Sequence, residues 1–330
     1  MNNQYRSVAV IGEGLLLPEI SLCLLKAGHQ VVEFWKQTEG YDSHTLIEME
    51  HTPAEASKLK ERLTSISSLD QLPVVGLVVL VTPENLEIKQ AYLKALEKQA
   101  SPTTLIAVNT ESFSLEEIRH GRHNPEQIIG LNWVRPAHTT LFAELIVMPD
   151  TPPALVESLR DLMQTCWKKD PYVVYQGKSI RSRLLAAMIR EAFFLVENGY
   201  VSEEDIDRAC RNDAGYYLPF AGNLRYMDLM GTYVYGVVME DLNKELSTSQ
   251  QVPAFFEEIL DKSPNPGLQE GEGFYTYTSG EREKLKTEFL DFGNKIRHLM
   301  DKYPFPKDLA KEEQTPLKES TAFAHKNRSL

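Results

Sequence analysis

Residues 8–17 read Val-Ala-Val-Ile-Gly-Glu-Gly-Leu-Leu-Leu, and this stretch decides the fold. Val8–Ile11 is a short apolar run of the kind that forms a buried strand, and Leu15–Ala27 after it has the apolar spacing of a helix. Gly12 and Gly14 join the two in a G-x-G turn. The first glycine of such a turn permits the tight reversal. The second lets backbone amides approach a pyrophosphate at the helix N-terminus. The third glycine of the G-x-G-x-x-G fingerprint would allow close helix–strand packing, and Leu17 stands there instead. The spacing predicts a dinucleotide site on Gly12 and Gly14 with an incomplete fingerprint.

Outward from this unit, Val31–Phe34, Leu77–Val81, Thr104–Val108 and Ile128–Trp133 read as further strands. Leu86–Lys98 and Leu115–Arg119 carry helical spacing between them, and a helix over Ala154–Lys168 with a strand-like Tyr172–Tyr175 completes the series. Such alternation builds a parallel sheet covered by helices. After Lys178 the pattern is helix after helix. Ile180–Asn198 gathers Leu184, Leu185, Met188, Ala192, Leu195 and Val196 on one face, Ser202 opens another helix, and Glu281–Lys302 closes the series. The expected fold is α/β: an N-terminal Rossmann-type parallel-sheet domain over 1–177, then an all-α domain over 178–303. A polar tail over 304–330 is expected to be mobile.

A net charge of −12 disfavours nucleic acid and anionic membranes as partners, since both require positive surface. It also means that an anionic ligand must be captured by local donors. The longest apolar run, Val74–Val81, is too short to cross a bilayer, and the chain starts without a secretory pattern, so a cytoplasmic location is expected. Cys23, Cys166 and Cys210 form no metal or redox motif, and no metal site is expected.

A second stretch, Gly130–Glu144, reads GLNWVRPAHTTLFAE. With it come Thr82–Lys89 (TPENLEIK), Val108–Ser114, Arg183-Leu184-Leu185 with Glu191-Ala192, Glu203–Asp207 and Gly271–Tyr277. In order and spacing these segments resemble the NAD-dependent L-3-hydroxyacyl-CoA dehydrogenases, including the 3-hydroxybutyryl-CoA enzymes, over roughly residues 5–300. The resemblance implies NAD as cofactor, a 3-hydroxy acid or acyl-CoA as substrate, a homodimer formed by the helical domain, and a site between the domains. It makes Glu84 and Lys89 cofactor contacts and Asn109 a neighbour of the nicotinamide. Glu144 matches the glutamate that orients the catalytic histidine, but that histidine's own position holds Asn132. The family serine near the substrate oxygen falls at Glu111, the asparagine of the second domain at Ser182, and the asparagine of an Asn-Pro pair at Arg135. The arm that contacts CoA in the family corresponds to a shorter Lys36–Leu72, whose Lys58, Lys60 and Arg62 are interleaved with acids.

Oxidising a secondary alcohol by hydride transfer also requires removal of the hydroxyl proton, and a positioned base contributes about 10²–10⁴-fold. An asparagine amide cannot take that proton at neutral pH. Three expectations stay open: an oxidoreductase with an altered base or substrate, a non-catalytic dimer that binds ligand or scaffolds, and a pocket repurposed around Glu111 and Glu144. Glu111 either forms an acid/base pair with Glu144 or closes a salt bridge with Arg135. His138 reads as a loop brace. At the end of the second strand Trp35 replaces the acid expected to hold the adenosine ribose, with Glu33 inside the strand. Lys36 leaves NADP open beside NAD.

Overall fold

A computed structural model of the protein describes residues 5–36, 41–175, 177–263 and 266–303. Strands β1 (Ser7–Glu13), β2 (Gln30–Lys36), β3 (Leu63–Ser65), β4 (Leu77–Val81), β5 (Leu105–Val108), β6 (Ile128–Asn132), β7 (Glu144–Ile146) and β8 (Tyr172–Val174) form one sheet. Their order is β3-β2-β1-β4-β5-β6-β7-β8, parallel throughout except for the antiparallel β6–β7 pair. Helices α1 (Leu16–Lys26), α2 (Ser43–Glu50), α3 (Pro53–Lys60), α4 (Leu86–Gln99), α5 (Leu115–Arg119) and α6 (Pro153–Asp161) cover it. The helix expected over Ala154–Lys168 is α6 followed by a π-helical turn, Leu162–Cys166. The short strands β3 and β7 had no counterpart in the sequence pattern.

The strand period of two explains both cores. Val8 and Val10 point to one face, where Leu17, Ile20 and Leu24 of α1 meet them. Ala9 and Ile11 point to the other, against Leu93 and Leu96 of α4 and Ile118 of α5. Gly12 has φ +133°, and a Cβ there would lie 1.7 Å from the Val81 carbonyl oxygen, so no other residue fits. Leu17, at the third glycine's place, is fully buried in the first core.

The loop after β6 is fixed from below by Lys169. Its ammonium donates to the carbonyls of Ala137 and Thr140 and stands 5.3 Å from the Trp133 ring. Burial pushes it down to about 8 from the ordinary 10.5.

Beyond β8 the chain is helical: α7 (Ile180–Glu197), α8 (Glu203–Ala209), α9 (Gly215–Met230), α10 (Thr232–Leu242), α11 (Ala254–Leu260) and α12 (Ser279–Lys302). Among the described residues this part packs a small aromatic cluster of Phe193, Phe255, Phe256 and Phe274 and buries little else. Among the described residues Ala221 is the only buried apolar residue after Val174. The apolar face of α7 exists as expected, but Leu184 and Met188 on it are exposed, as are Leu224 of α9, Tyr233 of α10 and Phe292 of α12. Arg297 of α12 anchors these helices to the first domain by donating to the carbonyls of Thr139 and Lys168. The tail expected over 304–330 lies outside the described residues. Among those described, no helix is long and apolar enough to cross a membrane, and no group of three or more metal-ligating side chains occurs.

Restoring the glycine fingerprint should damage the protein. Leu17→Gly removes a buried side chain and adds helix-disfavouring backbone freedom, at a cost of about 3–5 kcal/mol in denaturant unfolding. An unchanged midpoint would show that Leu17 is not a core residue.

Candidate active site

The strand order reverses between β1 and β4, which opens a crevice at the carboxyl ends of the strands. At Gly14 φ is +95° and nothing lies within 4 Å of where a Cβ would be, so the turn presents bare backbone to that crevice. Helix α1 begins beside it with no side-chain cap on its N-terminus. These features fit a pyrophosphate. The adenosine end is less usual. Trp35 pairs in register with Gly12 and packs against the core, and the exposed Lys36 pairs with Glu13. Glu33 is buried and accepts a hydrogen bond from Ser43 at 2.5 Å; burial holds its carboxyl above the ordinary value despite that bond. No carboxylate of β2 is left for the ribose.

Glu84, Lys89 and Asn109 come together at the ends of β4 and β5. Lys89 is fully buried on α4; it pairs with Glu84 at 3.0 Å and donates to the Asn109 carbonyl at 2.7 Å. Asn109 ties the two strand ends by accepting from Thr82 N and donating to Thr82 O, both at 2.9 Å. Glu84 also accepts from the amides of Glu111, Ser112 and Phe113 and from the Ser112 hydroxyl. Burial raises the Glu84 carboxyl, but the Ser112 amide and the Lys89 charge outweigh it and hold it below the ordinary value. Burial lowers the Lys89 ammonium, with Glu84 opposing. Together these groups fix the loop that carries Glu111.

Asn132 is the last residue of β6, and its register partner across the antiparallel pair is Glu144. Glu144 in turn pairs with Tyr172 of β8. Asn132 is fully buried. Its amide donates to Glu144 at 2.8 Å and to the Thr110 carbonyl at 2.6 Å, and its oxygen accepts from Thr110 N at 2.7 Å. Both N–H bonds are therefore spent within the protein. Glu144 accepts from five donors: Asn132, the Tyr172 and Ser179 hydroxyls, and the amides of Ile180 and Arg181. The last two open α7, so the carboxylate sits on a helix N-terminus. Burial and the Glu144 charge push the Tyr172 phenol well up, and it stays a donor.

Besides the exposed Tyr172, Glu111 and Arg181 are partly exposed polar groups beside this network. Their side chains are 36% and 34% exposed, and Arg181 Nη1 reaches the two Glu111 oxygens at 3.3 and 3.2 Å. Ser182 donates a short hydrogen bond to Glu111 and lies 3.0 Å from the Ser179 hydroxyl, which reaches Glu144 at 2.7 Å. Two hydroxyls thus link the carboxylates. No direct hydrogen bond joins Glu111 and Glu144; Ser182 and Ser179 lie between them.

The expected salt bridge of Glu111 with Arg135 does not form. Arg135 is taken by Glu19 of α1 at 2.8 Å, and Glu19 also accepts from Ala137 N. Glu111 finds Arg181 instead, a residue absent from the sequence-derived set along with Ser179 and Tyr172. Ser179 carried a readable signal, a serine just ahead of a helical pattern, and it caps α7 through Ser182 N. His138 is nearly buried and bonds to Glu50 of α2 at 2.6 Å. It braces its loop.

Asn132→Asp tests the amide bridge with almost no change of shape. It replaces two donated hydrogen bonds by a carboxylate facing Glu144 and the Thr110 carbonyl, and should cost about 3–5 kcal/mol of stability at neutral pH. The loss should shrink in acid, where protonation returns one donor. Equal stability in urea unfolding at pH 7 would refute the bridge.

Two matches to known families cover most of the chain. Residues 7–177 match the family described as 3-hydroxyacyl-CoA dehydrogenase, NAD binding domain, and residues 180–277 match 3-hydroxyacyl-CoA dehydrogenase, C-terminal domain. The chain is 26% identical over 295 residues to 5-formyl-3-hydroxy-2-methylpyridine 4-carboxylate 5-dehydrogenase of Mesorhizobium japonicum, covering 86% of this chain and 94% of that protein. It is 30% identical over 292 residues to the mitochondrial hydroxyacyl-coenzyme A dehydrogenase of Rattus norvegicus, covering 82% and 91%. The crystal structure of a 5-formyl-3-hydroxy-2-methylpyridine 4-carboxylic acid 5-dehydrogenase shares the fold with a TM-score of 0.76 at 24% identity, covering 91% of this chain and all of that one. The incomplete fingerprint, the cleft and the Glu144 position are thus variations within a known plan, and the chain belongs to the 3-hydroxyacyl-CoA dehydrogenase family of NAD-binding oxidoreductases.

Proposed function

We propose that the protein is an NAD-linked dehydrogenase of a 3-hydroxy acid or 3-hydroxyacyl thioester in which Glu111, not the residue at the family's histidine position, takes the hydroxyl proton. The observation that carries this reading is the division of labour among the polar groups. Asn132 and Glu144 are consumed by each other and by the backbone, whereas Glu111 is a carboxylate about one-third exposed on the loop after β5. The Gly12–Gly14 turn and the uncapped N-terminus of α1 would hold the NAD pyrophosphate, and the cofactor would supply the hydride acceptor. Glu111 accepts the proton from the substrate O–H as the carbinol C–H is lost and the C–O bond becomes a carbonyl. Arg181 and Ser182 hold the Glu111 carboxylate in place, and the Ser179 hydroxyl stands between Ser182 and Glu144. The family match supports an oxidoreductase over the non-catalytic reading. The relatives named for hydroxyacyl-CoA and for a small pyridine carboxylate bracket the substrate class.

Glu111→Gln keeps the shape and removes the base. Turnover should fall by about 10²–10⁴-fold with NADH affinity, read by nicotinamide fluorescence, unchanged. Full activity in Glu111→Gln would remove Glu111 from the role, and failure to bind NADH at millimolar concentration would remove the dehydrogenase reading itself.

The helical domain is the second part of the proposal. Among its described residues the helical domain buries one apolar side chain, Ala221, and the exposed apolar faces of α7, α9, α10 and α12 need cover. A second copy of the chain supplies a matching apolar surface, so the working unit is a homodimer. Light scattering after gel filtration should give twice the 37.5 kDa chain mass. A monomer at micromolar concentration would overturn this.

A further inference from the structure

We propose that Arg181 is the receptor for a free carboxylate on the substrate, so that the cleft takes a small hydroxy acid or oxo acid in preference to its CoA thioester. This rests on the reading of Glu111 as the proton acceptor and names the substrate class for the same site.

The guanidinium is only partly used. A single nitrogen, Nη1, faces both oxygens of Glu111 at 3.3 and 3.2 Å, while Nε and Nη2 form no hydrogen bond among the described residues. Arginine's donors form a planar fork suited to a carboxylate, and an ion pair made through one nitrogen leaves much of that fork open. The group is also held still. The Arg181 backbone N–H is bonded to Glu144 at 3.1 Å, and its guanidinium lies 5.9 Å from the centroid of the Phe142 ring. A preorganised, half-exposed cation over an aromatic face loses little freedom when it receives an anion.

Distance then limits the ligand. Arg181 and Glu111 are in direct contact, so a substrate with its carboxylate on Arg181 and its hydroxyl on Glu111 carries the two groups only a few bonds apart. A 3-hydroxy acid meets that condition. A thioester carbonyl in the same place is neutral and gains less from the guanidinium.

The region that would serve CoA points the same way. Helices α2 and α3 bury Leu46, Ile47, Ala56 and Leu59 in the sheet's core, and Lys60 is paired with Glu48. They form part of the body of the domain. With a net charge of −12, the chain has no general field to draw in a polyanionic carrier, and a local arginine suits a single carboxylate.

The test is binding of acetoacetate, methyl acetoacetate and acetoacetyl-CoA to the full chain, with and without NADH, read by thermal stabilisation. Acetoacetate should bind saturably, and its methyl ester and the CoA thioester about tenfold more weakly or worse. Arg181→Gln should weaken acetoacetate by about tenfold or more and abolish the preference for the acid over its ester. Arg181→Lys should recover only part of the affinity, because an ammonium lacks the fork. Both variants keep the backbone N–H that Glu144 uses. Equal affinity for acid and ester, tighter binding of the thioester, no acetoacetate binding at millimolar concentration, or an Arg181→Gln protein that binds the acid normally would each overturn the proposal. Turnover separates it from the reading it rests on. Glu111-dependent oxidation that ignores the carboxylate would sink Arg181's role alone. Arg181-dependent binding of the acid without hydride exchange would sink the dehydrogenase reading alone.

Discussion

The rest of the molecule depends on one buried carboxylate. Glu144 is fully buried, and its charge is tolerable there only because five donors converge on it. Those donors come from β6, β8 and the first turn of α7, so the same ion that closes the edge of the sheet also seats the helical domain. The register explains the convergence. An antiparallel β6–β7 pair sets Asn132 opposite Glu144, and a parallel β7–β8 pair sets Tyr172 on its other side. Hydrogen bonds to a charged group contribute about 1.5–3 kcal/mol each. Breaking this set would loosen the junction of the two domains before it loosened the sheet.

This arrangement gives Asn132 a meaning that its residue type alone does not. As a replacement for a histidine it is a chemical loss. In the fold it is an amide that satisfies the Thr110 backbone in both directions and gives Glu144 a donor at the same time. Glu84 fixes the other side of the same loop. The loop bearing Glu111 is thus clamped between two buried or half-buried polar networks, the kind of rigid support that lets an exposed side chain keep a defined position.

Local signals made the scaffold legible from the sequence and left the site only half so. The Val8–Leu17 unit, the strands with Val and Ile runs and the helical half follow from periodicity, which is a property of neighbouring residues. Strands β3 and β7 are three residues each and mix polar with apolar side chains, Leu-Thr-Ser and Glu-Leu-Ile, so neither stands out as β8 does with Tyr-Val-Val. Glu84, Lys89 and Asn109 were singled out and lie together. Glu111 was assigned the wrong arginine, because the buried Glu19 claims Arg135 and nothing in the chain's linear order announces that. Arg181 enters the site from α7, 70 residues from Glu111, and such a contact exists only after two domains have met. The apolar face of α7 was visible as a pattern, but a pattern does not say whether the face meets its own chain.

Lys169 gives the molecule a dependence on alkalinity. Unfolded, its ammonium keeps its proton up to about 10.5, whereas in the fold, held among the carbonyls of Ala137 and Thr140, it releases that proton near 8. Between those values the unfolded chain binds more protons than the folded one, so this residue's contribution to stability rises with pH. Below 8 both states hold the proton, and the fold carries the full penalty of the buried charge. The loop that continues from Asn132 is therefore under its greatest electrostatic load at neutral pH, and it is relieved in base.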